Sequence, residues 1–180
     1  KEYFSKNINT RTWQRYLNME NTFRTVPARK IRESDTLFKY DVDWQNNACL
    51  NISRDNWVFY AQGFKKAGDV LVNHAKSHRG HLDTLIYPIV FNYRQYIELC
   101  LKMIIAEGSR LLEKEIKIPT IHKTSTIWNT SRKIIETIFY NEDISEIKLF
   151  QKLIDEFSRI DDSSTAFRYP VDTRNNPSLP

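Results

Sequence analysis

A chain of 180 residues can bury a core without disulfides or a structural metal, so one domain plus an arm is the natural expectation. Hydrophobic residues make up 41% and aromatics 13%, while the 4 glycines and 6 prolines are too few for a loop-built β fold and favour long regular elements. The formal charge of +5 permits nucleic-acid binding without demanding it, because a basic face matters more than a basic total.

Residues 1–52 read as an irregular N-terminal arm. Trp13, Tyr16 and Leu17 suggest a short helix. Arg24, Arg29, Lys30 and Arg32 form a basic patch interrupted by Pro27, and Thr36 to Val42 alternates loosely, as a short strand or an extended arm would. Cations interleaved with Trp13, Tyr16 and Phe23 suit a single-strand binder, although an arm packed on its own bundle or on a partner is the commoner source of such a pattern.

From Ser53 the pattern becomes helical. Ser53 is a candidate N-cap, and Trp57, Ala61, Phe64, Gly68, Leu71 and Ala75 recur every three or four residues, predicting a helix over 54–78 closed by Gly80. A second helix over 83–107 is capped by Asp83, carries Pro88 near its first turns, buries a face from Leu85 to Ile105 and ends at Gly108. The charged stretch from Arg110 to Lys117 reads as helix or loop. A third helix over 121–140 buries Ile127, Trp128, Ile134, Ile135, Ile138 and Phe139. A fourth over 143–160 opens on a capping box of Asp143 and Glu146 and carries Phe150, Leu153, Ile154, Phe157 and Ile160. The expected fold is therefore all-α, an up-and-down bundle of four to five helices over 53–172, with a tail at 173–180. The two cysteines, Cys49 and Cys100, supply no disulfide framework. Cys100 reads as a buried thiol, and a reducing cytoplasm is the expected setting. No run of about 18 apolar residues predicts a membrane span.

Three pieces stand in a particular order: the helix from Tyr87-Pro88 through Tyr93-Arg94, Glu98-Leu99 and Lys102; Ile121-His122 followed by Ile127-Trp128; and Arg168-Tyr169-Pro170 after the last helix. Over about residues 55–172 the chain resembles the HEPN superfamily, and a set of bacterial proteins that share the longer Tyr-Pro to Lys version. The resemblance implies an all-α bundle that often dimerises. It also implies one of two activities. One is a metal-independent ribonuclease of toxin–antitoxin, phage-defence or RNA-processing systems. The other is a non-catalytic module that binds nucleotides or regulates a partner nucleotidyltransferase or antitoxin. The ribonuclease members carry an arginine, four to six residues, then a histidine. None of His74, His78, His81 and His122 has an arginine at that distance before it, which favours the binding module over a divergent ribonuclease.

The candidate site residues follow from spacing. Arg94, Glu98 and Lys102 share one helix face at i, i+4 and i+8. They read either as a polar seam that holds a phosphate with His122 and Arg168, or as a structural salt-bridge ladder. His122 is a candidate general acid or base, or a side chain that fixes a helix entry. His74 and His78 face the same side at i, i+4, as two metal ligands or as a solvated helix end; no metal site and no cofactor is expected. Asp161, Asp162, Ser163 and Ser164 suit a hard cation or a capped turn. If the bundle closes as the resemblance implies, Arg168 returns to the second helix and pairs with Glu98.

Overall fold

Four stretches with apolar residues at helical spacing form four α-helices: α1 Trp57–Ser77, α2 Leu82–Leu111, α3 Thr124–Ile138 and α4 Ser145–Asp161. The computed structural model describes residues 56–179, together with Glu33, Val42, Asp43, Gln45, Asn47 and Ala48. The chain divides into two units, 1–49 and 50–180, and the four helices belong to the second. The readings made for Trp13, Tyr16, Phe23, the 24–32 patch, the Thr36 alternation, Cys49 and the Ser53 cap lie outside the described residues.

α2 is the centre of the unit. α1 packs on it through small residues: Ala61, Gly68 and Ala75 are its buried positions, at seven-residue intervals. Gly68 lies under the Tyr93 ring, where a Cβ would come within 3.2 Å of ring carbons. The Tyr93 hydroxyl then donates to Asp69 at 2.7 Å, and Asp69 also accepts from Lys65 at 2.8 Å. On the other side of α2, Leu101 and Ile105 join Ile127, Trp128 and Ile154 in the apolar core, with Ile97, Ile104, Ile134, Ile135 and Ile147 packed around them. Ser131 sits at this helix–helix contact without breaking it, because its hydroxyl reaches the Leu101 carbonyl at 3.1 Å and the Ile127 carbonyl at 3.0 Å.

Several boundaries differ from expectation, each for a local reason. α1 stops at Ser77, and Gly80 lies in the 3₁₀ turn Arg79–His81 that leads into α2. Asp83 is in the first turn of α2 rather than at its cap, where it still complements the helix dipole. Gly108 does not end α2, which runs on to Leu111; it is buried against Ile134 of α3, so its missing side chain serves packing and not chain reversal. The charged stretch from Arg110 is helical only at its start. Asp143 does not form a capping box: its carboxylate accepts from the Ser145 amide at 2.8 Å, so α4 starts two residues later. Cys100 is half-buried, and it is a free thiol.

The largest departure is in α4. Ile154 is its buried apolar residue, whereas Phe150, Leu153 and Ile160 are 47%, 60% and 50% exposed. α4 leans on α3 along one narrow line, so most of its stripe faces outward. Phe139, expected in the core, is 48% exposed just past the end of α3. The last residues fold back on themselves: Val171 bridges Pro177, Ser178 donates to the Pro170 carbonyl at 3.0 Å, and the Asp172 carboxylate accepts from the Arg174 and Asn176 amides. Among the described residues no helix is long and apolar enough to cross a membrane.

Candidate functional site

The spacing of Arg94, Glu98 and Lys102 puts all three on the face of α2 that meets α3 and the 161–166 turn, and all three are buried. Glu98 is the hub. Its carboxylate accepts from Arg94 at 3.0 Å, from Lys102 Nζ at 2.9 Å and from His122 Nδ1 at 2.8 Å. Arg94 has further work in the same place. One terminal nitrogen donates to the carbonyls of His122 and of Asp162, the latter at 3.0 Å, and Nε reaches the Asp161 carbonyl at 3.5 Å. One guanidinium therefore ties α2 to the entry of α3 and to the end of α4. Its planar fork makes several divergent bonds that an ammonium could not.

The two aspartates expected to hold a cation or cap a turn do the second. Asp162 caps α3: its carboxylate accepts from the Ser125 amide and hydroxyl, both at 2.9 Å, while its carbonyl accepts from the Thr124 amide at 2.9 Å. Asp161 accepts from the amides of Thr165 at 2.7 Å and Ala166 at 3.2 Å, closing the turn after α4. The entry to α3 is thus fixed from the far end of the sequence. His122 stands on this fixed entry with its side chain 65% exposed, although its Nδ1 reaches the buried Glu98. An ionised carboxylate can only accept, so His122 Nδ1 carries the proton of this contact.

Burial is the strongest single influence on Glu98 and opposes its charge. The hydrogen bonds from Lys102, His122 and Arg94, with the charge of Lys102, together outweigh it and hold the carboxyl below the usual carboxylate range. A carboxyl with a lowered folded-state pKa contributes stability that is complete above its unfolded value and is lost as pH falls through the folded one. Glu98→Gln removes that charge at every pH. Chemical denaturation between about pH 7 and about pH 3 should show the parent clearly more stable at the neutral end and the gap narrowing in acid. A gap independent of pH would mean that the Glu98 carboxyl holds its proton equally well folded and unfolded, and a gap that widened in acid would mean that it is protonated in the folded protein.

Arg168 does not join this cluster, correcting the expected pairing with Glu98. The Glu98 oxygens are already occupied by Arg94, Lys102 and His122. Arg168 instead donates from Nε to the Ser164 carbonyl and lies over the Phe91 and Tyr169 rings, with its Cζ 5.8 Å and 5.5 Å from their centroids. It lines a separate cleft with Tyr87, Phe167, Tyr169 and Pro170. Sequence reasoning missed the role of Phe91, which looks like another core residue of α2. His74, His78 and His81 stack as near-parallel rings, with His74 and His78 centroids 4.3 Å apart and a 3.0 Å contact between His74 Nε2 and His81 Nδ1. Parallel rings do not converge on one point, and among the described residues no group of three or more ligand side chains could hold a metal ion.

The chain matches no family in a scan of family profiles, no curated protein and no solved structure.

Proposed function

We propose that the chain is a HEPN-like binding or regulatory module for RNA or a nucleotide, or for a partner protein, in a bacterial stress or defence system. The observation that carries this reading is the inward turn of the seam. Arg94 and Lys102 are buried on Glu98, and His122 is the member of the set at the surface. Metal-free phosphodiester cleavage needs proton transfer and a cation near the developing oxyanion. The two seam cations are directed at Glu98 and backbone carbonyls instead, so they organise the surface without meeting a phosphate. A homodimer fits the same reading, because the outward Leu149, Phe150, Leu153 and Ile160 of α4 offer an apolar face for a second copy. Light scattering over a wide concentration range should find the dimer; a monomer throughout would remove it.

One observation favours the alternative, a divergent ribonuclease: a buried carboxylate orienting an exposed imidazole is a common arrangement for a general base. A gel assay on single-stranded and structured RNA separates the two. The binding module retards RNA and leaves it intact, and His122→Ala weakens retardation. Cleavage by the parent that disappears in His122→Ala would replace the module with the enzyme.

A further inference from the structure

The cleft around Arg168 is separate from the Glu98 cluster and is built differently. It has a volume of about 400 Å³ and lies beside the early turns of α2, where the turn after α4 folds over. That size is within the usual range for small-ligand sites, roughly 300–1,000 Å³. Its cation is held in place before any ligand arrives. Ser164 is buried and sits in the left-handed region at φ 64°, which fixes the direction of the turn that carries the carbonyl accepting from Arg168 Nε. The Phe91 and Tyr169 rings lie 5.8 Å and 5.5 Å from the Arg168 Cζ, within reach of the guanidinium charge. Among the described residues no carboxylate pairs with Arg168, whose side-chain contacts are the Ser164 carbonyl and the Phe91 and Tyr169 rings. The outer edge of the fork is left to a ligand, in a geometry suited to two oxygens of one phosphate. The cleft also presents aromatic surface, since Tyr87 and Tyr169 line it and are 46% and 55% exposed.

We infer that this cleft is a mononucleotide site, in which Arg168 holds the phosphate and Tyr87 and Tyr169 take the base. It rests on the nucleotide reading above and narrows that reading to a place and a ligand class. A held fork loses less conformational freedom on binding than a free surface arginine does. Aromatic rings accept any base by stacking, so the site selects for base plus phosphate and discriminates little among bases.

The test is calorimetric titration of the full chain with adenosine 5′-monophosphate, uridine 5′-monophosphate, adenosine and inorganic phosphate. Both nucleotides should bind, and the nucleoside and the free phosphate should each bind at least about tenfold more weakly, the scale of a lost charged hydrogen bond or stacked ring. Arg168→Gln should weaken nucleotide binding by about tenfold or more. Tyr87→Leu, at an exposed position that does not hold the fold, should weaken nucleotide binding several-fold and leave phosphate binding unchanged. Nucleotide binding that survives Arg168→Gln but is lost in His122→Ala would overturn the cleft while sparing the nucleotide reading. Phosphate binding as tight as nucleotide binding would overturn the base contact. No binding of either nucleotide would overturn the site, and retardation of RNA in the gel assay would then show that the broader reading had survived it.

Discussion

Glu98→Ala should lower the unfolding free energy by about 3–5 kcal/mol, the cost of removing one member of a buried charge cluster. The loss comes less from the missing attraction than from what stays behind. Arg94 is 1% exposed and Lys102 6%, so both would be left in a dry site without the carboxylate that pairs with them. The His122 imidazole would lose its anchor as well. Urea denaturation monitored by far-UV circular dichroism measures this directly. Arg94→Ala should cost a similar amount, and the double variant should lose clearly less than the sum, because the two side chains meet at 3.0 Å. Arg168→Ala combined with Glu98→Ala should instead be additive within about 0.5 kcal/mol, since Arg168 contacts Ser164, Phe91 and Tyr169 and not Glu98.

Gly108→Ala should destabilise the protein by about 1–3 kcal/mol, although alanine is the better helix former. A Cβ at this position would stand 2.2 Å from Ile134 Cγ2, far inside contact distance, and 3.4 Å from Ile138 Cδ1. The first of these is a methyl on a β-branched side chain in a helix, where rotation is restricted, so α2 and α3 would have to move apart. Gly63→Ala is the control. It lies in α1 with nothing within 4 Å of the added carbon and should stabilise by about 0.5–1 kcal/mol. If both changes stabilise, the α2–α3 contact is looser than described.

The helices were legible because their apolar spacing is a local signal, and the existence of all four follows from it. The boundary at Gly108 was not. A glycine reads as a helix end from sequence, whereas Gly108 is there because a partner helix passes close by, a fact about Ile134 twenty-six positions away. The shared face of Arg94, Glu98 and Lys102 was readable from i, i+4 spacing. Whether that face looks inward or outward depends on the entry to α3, and that entry is fixed by Asp161 and Asp162, which look like ordinary turn residues. The position of Arg168 was the hardest part. Both Glu98 and Phe91 are on α2, and only the turn built around Ser164 decides which of them the guanidinium meets.

The site rests on the hydrogen bond between one buried carboxylate and one exposed imidazole. A long-range proton–nitrogen correlation spectrum of His122, recorded where the spectrum itself shows a neutral ring, reads this without reference to any ligand. Nδ1 should carry the proton and Nε2 should show the shift of an unprotonated nitrogen, with Glu98→Gln moving the signal toward the tautomer mixture of a free histidine. A parent spectrum already in that mixture, or with the proton on Nε2, would contradict the hydrogen bond on which the site is built.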